Sequence, residues 1–192
     1  HSRIYMAMEL LEGQDLKQVI GSASLSELSD KLKIMGQICD GLAFARQSGD
    51  EARHYSLIAQ RLGEMGADLS GFSPLAGGPS RLYQYFVTLE TTVERVAATQ
   101  FTREAIGYKS NELFIAYCEA AGDAKTARLY REKIQPDEKY HHDWGRELLG
   151  RLATGEAERA AAKKAVRSTL DLAEELRSLA AGRLLVETLP GC

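Results

Sequence analysis

Pro136-Asp137-Glu138-Lys139-Tyr140-His141-His142-Asp143-Trp144 holds a Glu-x-x-His motif, and helical spacing puts Glu138 and His141 about one turn apart on the same face. A carboxylate and an imidazole so placed can hold one metal ion between them. The pattern recurs: Asp50-Glu51-Ala52-Arg53-His54 repeats the Asp-Glu-x-x-His of Asp137 to His141. Only four histidines occur in the chain, and His54 and His141 each follow a glutamate by three positions and an aspartate by four. With 18 glutamates in 192 residues, one such pair arises by chance about one time in ten, so the repeat carries the weight.

Length and composition bound the rest. A chain of 192 residues, 44% hydrophobic and 27% charged, has the material for one soluble domain with a sizeable core. Its net charge of −3 supplies no basic field to recruit nucleic acid or an anionic membrane. Cys39, Cys118 and Cys192 lie far apart with no Cys-x-x-Cys, which argues against a disulfide framework and fits a reducing cytoplasm. No apolar run approaches the roughly 18–20 residues that span a bilayer. Four prolines, few β-branched runs and abundant Ala, Leu, Glu and Arg predict an all-α protein.

Working outward from the motifs, residues 50–66 read as helix closed by Gly66. At 100° per residue Phe44, Tyr55, Ile58, Leu62 and Met65 fall within about 40° of Glu51, which sets that acid on an apolar stripe. Ala67 to Ser80, with three glycines and two prolines, is the longest loop and a crossover between helical hairpins. A long helix is expected from about Arg81 to Ala121. Leu82, Phe86, Val93, Ala97, Gln100, Tyr108, Asn111, Ile115 and Cys118 share its face with Glu104, so Gln100, Glu104, Tyr108 and Asn111 make a polar patch on an apolar side. Buried polar groups need partners, and a metal would supply them.

Gly122-Asp123 then forms a helix–helix turn, with Gly122 after the end of one helix and Asp123 capping the next. The following helix runs from about Ala124 to Ala153, and Pro136 predicts a kink or bulge just before Glu138. Glu104 and Glu138 lie about 18 residues before and 15 after the turn, so an antiparallel hairpin brings them level. Asp50 and Asp137 fall off the stripe as candidate partners of the ligands, and His142 points about 100° away from His141. The last helix, about 155–186, presents Leu170, Leu172, Ala173, Leu176 and Leu179, a side that packs on the bundle or forms an oligomer contact.

Paired Glu-x-x-His motifs with a lone glutamate on the helix before the second resemble the ferritin-like di-iron carboxylate superfamily, over about residues 45–153. The run from Glu51 through Arg61-Leu62-Gly63-Glu64-Met65-Gly66 looks like its tRNA-adenosine hydroxylase branch, the one context in which a nucleic acid, tRNA, enters as partner. The resemblance implies a ferritin-like four-helix bundle over about 24–153 with an appended C-terminal helix, in a single domain of residues 1–192. It implies a metal site of Glu51, His54, Glu104, Glu138 and His141 holding two iron ions, with manganese also suited to such oxygen-rich ligands. It also implies non-haem iron oxidoreductase or hydroxylase activity with dioxygen and a further substrate. The family's lone glutamate on the first helix has no match, because positions 16 to 21 hold Leu, Lys, Gln, Val, Ile and Gly. The half-site of Glu104, Glu138 and His141 is therefore expected to fill more completely. A second reading stays open: a non-enzymatic helical scaffold or interaction protein whose polar core residues satisfy one another.

Residues 3–46 carry a different likeness. Tyr5 to Ile20 followed by Leu28 to Ala45 resembles the hinge strand and next two helices of a bacterial serine/threonine protein kinase. It stops after Gly49, where a kinase would continue into His-Arg-Asp. No glycine-rich phosphate loop, Val-Ala-Ile-Lys strand or Asp-Phe-Gly exists, which excludes an active kinase.

Overall fold

The structure, a computed structural model, describes residues 28–73 and 76–184. Most of the kinase-like segment, the positions 16 to 21 that lack a carboxylate, and the end of the last predicted helix lie outside them. Every regular element among the described residues is helical, so the protein is all-α, and none of these helices is long and apolar enough to cross a membrane. Contacts divide the chain into two compact units, His1–Ser48 and Gly49–Cys192. The first helix, α1 (Leu28–Glu64), begins in the first unit. All that follows concerns the second.

At its far end α1 is closed by Gly66, whose φ of +90° lies in the left-handed region that glycine enters without steric penalty. After the loop, Ser80 caps α2 (Arg81–Phe86) by accepting the Tyr83 N–H. The predicted continuous helix from Arg81 to Ala121 is broken there. Thr91 starts a new helix, α3 (Thr92–Val96), with a reciprocal capping box in which its hydroxyl takes the Glu94 N–H and the Glu94 carboxylate takes the Thr91 N–H. A Thr-x-x-Glu pair offers the backbone these partners and so starts a new helix after α2 has ended at Phe86. Leu82 and Phe86 thus sit on a separate short helix and not on the face of Glu104.

From α3 the chain passes through a π-helical segment, Ala97–Arg103, into α4 (Glu104–Ala120). In the wider turn the Thr99 hydroxyl donates to the Arg95 carbonyl at 2.7 Å and Thr102 to the Ala97 carbonyl at 2.6 Å, satisfying acceptors that a regular α-turn would fill from the backbone. The Gly122-Asp123 turn forms as its residues predict: Gly122 has φ +78°, and Asp123 caps α5 (Ala124–Leu129) through the Thr126 N–H. A second π-helical segment, Tyr130–Ile134, leads into α6 (Gln135–Leu152). It is the bulge expected from Pro136, which has no N–H to give the preceding turn.

α7 (Glu156–Leu184) is more than an addition. Its Ala162 and Ala165 close a core with Leu89, Val93, Ala97 and Ala98, against which Leu149 and Leu152 also pack. The buried stripe of α7 runs through Ala162, Ala165 and Thr169, whereas Leu170 and Leu179, on the side expected to pack on the bundle or form an oligomer contact, are exposed. Small residues win because α7 lies close on α3 and the π-helical turn, where leucines would not fit. A close approach falls at Gly145 of α6. A Cβ there would stand 2.6 Å from the backbone carbon of Gln100, so only glycine lets α6 meet the π-helical turn.

Candidate metal centre

Three helices of the second unit converge on the two motifs. α1 runs antiparallel to the α5–α6 arm, pinned by Arg53 to Asp137 at 2.5 Å and, two turns on, by Arg61 to Asp123 at 2.8 Å. The hairpin through Gly122 brings Glu104 of α4 opposite Glu138 and His141 of α6. His54 and His141 are almost wholly buried, at 4% and 0% exposure, as are Glu104 and Glu138 at 8% and 9%. The two imidazoles approach in the core, as the repeated motif predicts for facing helices.

The geometry is a cluster with two near-equivalent halves. Glu51 stands between the rings, with one carboxylate oxygen 3.8 Å from His54 Nδ1 and the other 3.9 Å from His141 Nδ1. Glu138 lies 3.5 Å from His54 Nδ1, and Glu104 3.8 Å from His141 Nδ1. One ligand atom from each of Glu51, Glu104, Glu138 and His141 falls within 4.8 Å of the others. All five residues singled out in the sequence are therefore brought together. Glu51 departs from expectation in one respect: it is exposed, forming the solvent-facing edge of the cluster.

The far side of each ring shows what the sequence left open. His54 Nε2 bonds to Asp137 at 3.1 Å, and His141 Nε2 to Asp50 at 3.3 Å. The pairing is crosswise, each aspartate holding the imidazole of the other motif. An ionised aspartate only accepts, so Nε2 carries the proton and, in the neutral ring, Nδ1 is left as a bare lone pair aimed at the carboxylates. Both Nδ1 atoms are buried with no hydrogen-bond partner. Arg53 donates to Asp50 at 3.1 Å as well as to Asp137, tying the two orienting aspartates together. His142 leaves the cluster, sharing a hydrogen bond with the Phe101 carbonyl at 2.8 Å and stacking on the Phe101 ring.

Electrostatics follow from crowding these acids out of water. Burial, then the hydrogen bond and charge of Glu104, push the Glu138 carboxyl up to about 9. Burial also works against Glu104, but hydrogen bonds with His141 and Glu138 outweigh it and hold that carboxyl below its usual range. Crowding thus favours the neutral form of Glu138 and the charged form of Glu104. Burial alone would lower both imidazoles. For His54 the neighbouring carboxylates of Glu51 and Asp137 reverse this, and for His141 those of Glu104 and Asp50, so both end raised.

These residues fit a metal. Oxygen and imidazole donors suit iron or manganese. The 3.5–3.9 Å between each Nδ1 and its carboxylates is too long for a good hydrogen bond and slightly exceeds the ~3.0–3.5 Å between two donors held about 2.1 Å from one ion. Sequence reasoning did not find Arg103, whose charge works on both Glu104 and Glu138. No protein-family model, curated protein or solved structure matches the chain.

Proposed function

We propose that Glu51, His54, Glu104, Glu138 and His141 form a two-metal carboxylate centre in a ferritin-like helical bundle, that its ions are iron, and that the protein is an oxygen-dependent oxidoreductase. What carries the reading is the pair of buried imidazoles, each with an unpartnered Nδ1 turned toward Glu51 and one further glutamate, Glu138 for His54 and Glu104 for His141, and an Nε2 tied back by aspartate. Leaving two such atoms unsatisfied costs about 1–3 kcal/mol each, which metal ligation would remove. Iron, when bound, supplies the electrons that reduce dioxygen.

The chain's own contribution is positioning. Glu51 reaches both imidazoles and would serve as a ligand to either ion. Glu104 and Glu138 take one half-site each, their oxygens already 3.8 and 3.5 Å from the paired rings. Asp50 and Asp137 fix the tautomer and plane of the opposite histidine. Burial of His141 and Glu138 keeps bulk water from the inner side, while Glu51 leaves the outer edge accessible.

A scaffold reading has one point in its favour: burial and the charge of Glu104 push Glu138 toward its neutral form, so part of the cluster can satisfy itself. Metal analysis of protein purified without added metal separates the two. Two iron ions per chain are expected, with a reduced content in Glu104→Gln and an apo fold as stable as wild type or more so. In a scaffold the same substitution breaks a buried network and costs about 3–5 kcal/mol. A strongly destabilised Glu104→Gln with unchanged metal content would end the metal reading.

A further inference from the structure

Between α4 and the second half of α7 runs a groove of about 420 Å³, within the range of small-molecule sites. Leu82, Ile106, Leu170 and Leu176 make its walls apolar. Its two rim charges, Glu174 and Arg177, pair through hydrogen bonds of 2.6 and 2.9 Å. Arg103 is different. It lines the same groove, yet its guanidinium has no side-chain hydrogen bond or ion pair among the described residues.

The inner end of the groove abuts the glutamate cluster. Gly107, inside α4, also lines the groove, and a Cβ on it would come within 3.2 Å of Arg103 Nη1 and 3.8 Å of Glu138 Oε2. Glycine in a helix interior costs about 1 kcal/mol relative to alanine. Here it leaves clear the one point from which both the guanidinium and Glu138 are in reach.

We propose that this groove binds a medium-chain carboxylic acid, with its carboxylate on Arg103 and its alkyl chain along Leu82, Ile106, Leu170 and Leu176. A guanidinium takes a carboxylate through two parallel N–H bonds, and the apolar walls take the chain. A single negative charge suits the site better than a phosphate dianion, which would also face Glu104 and Glu138 behind Arg103. The carbons next to the carboxylate then lie nearest Glu138, which is how the groove would present a substrate to the proposed metal centre. Binding itself needs no metal.

The test is calorimetric titration of the chelator-treated full chain with sodium decanoate and, separately, decan-1-ol. Decanoate is expected to bind saturably at one site, and the alcohol more weakly. Arg103→Gln is expected to weaken decanoate roughly tenfold or more, as loss of a charged hydrogen bond does, and to leave the alcohol unchanged. Arg103→Lys should recover part of the loss, and Leu170→Gln, at an exposed position, should weaken both ligands. No saturable decanoate binding, equal affinity for acid and alcohol, or an Arg103→Gln variant that binds decanoate as wild type does would each overturn the proposal. Decanoate binding by a protein that takes up no metal would sink the oxidoreductase reading alone. Metal uptake without decanoate binding would sink this one alone.

Discussion

Replacing Gly145 by alanine isolates the contact on which the metal centre's geometry rests. The new Cβ would lie 2.6 Å from the Gln100 carbonyl carbon, 2.7 Å from its oxygen and 2.8 Å from its Cβ. Non-bonded carbons rest about 3.5–4.0 Å apart, so α6 and the π-helical turn must part by about 1 Å. Neither neighbour is the tip of a flexible chain, so no rotamer change relieves the clash. Overpacking of this kind costs about 1–3 kcal/mol, against about 1 kcal/mol gained from alanine's helix propensity. Gly150, on the same helix, is the internal control, with nothing within 4 Å of its added Cβ. Gly150→Ala should be stabilising by up to about 1 kcal/mol, and Gly145→Ala should fall below it by the steric cost of about 1–3 kcal/mol. At about 2–4 °C per kcal/mol that gap is readable in paired thermal melts, and urea unfolding gives it directly. Gly145 is one turn beyond His141, and Gln100 one turn before Glu104. The same parting should therefore lower affinity for added iron. Equal stability of the two alanine variants would refute the packing argument.

Two further outcomes are expected. Asp50→Asn and Asp137→Asn should each lower metal affinity about 10–100-fold in chelator competition, with little change in apo stability; unchanged affinity would show that the crosswise bonds do not orient the rings. For Asp123, hydrogen bonds from Thr126 and then Arg61 hold the carboxyl below its ordinary 3.8. A depressed carboxyl stabilises the fold above its unfolded pKa and loses that effect as pH falls through the folded value. The stability difference between wild type and Asp123→Asn, which keeps the cap but not the charge, should be constant above about pH 5 and close below about pH 4. A difference that persists to pH 2 would contradict the assignment.

What could be read from the sequence was whatever lies within one turn of helix. Glu-x-x-His places two ligands on one face whatever the tertiary fold, so four of the five ligand candidates were legible, and Glu104 followed from its place on an apolar face level with Glu138. So were Gly122-Asp123 and the bulge before Glu138, each the work of a residue with a single backbone preference. Asp50 and Asp137 were legible as candidate partners of the ligands, but their crosswise pairing was not, because Asp50 meets His141 only once antiparallel helices set them opposite. The break before Thr91 was written in Thr-x-x-Glu and was outweighed by the apolar periodicity running through it. The leucine side of α7 was read as packing on the bundle or forming an oligomer contact; the side that packs is instead Ala162, Ala165 and Thr169, which leucine counts could not reveal.

The crosswise pairing also sets an order of events during folding. Asp137 and His54 are separated by 83 residues, and Asp50 and His141 by 91, whereas the α4–α6 hairpin closes through a short turn. Contacts so distant form after local ones, because a long loop must be closed first. Until the end of α1 docks, neither imidazole is held in plane, and each Glu-x-x-His alone offers an ion only two donors on a mobile chain. If the cluster takes a metal as proposed, its capture is thereby deferred to the last docking step, and a nascent chain with only its first motif made would not retain the ion.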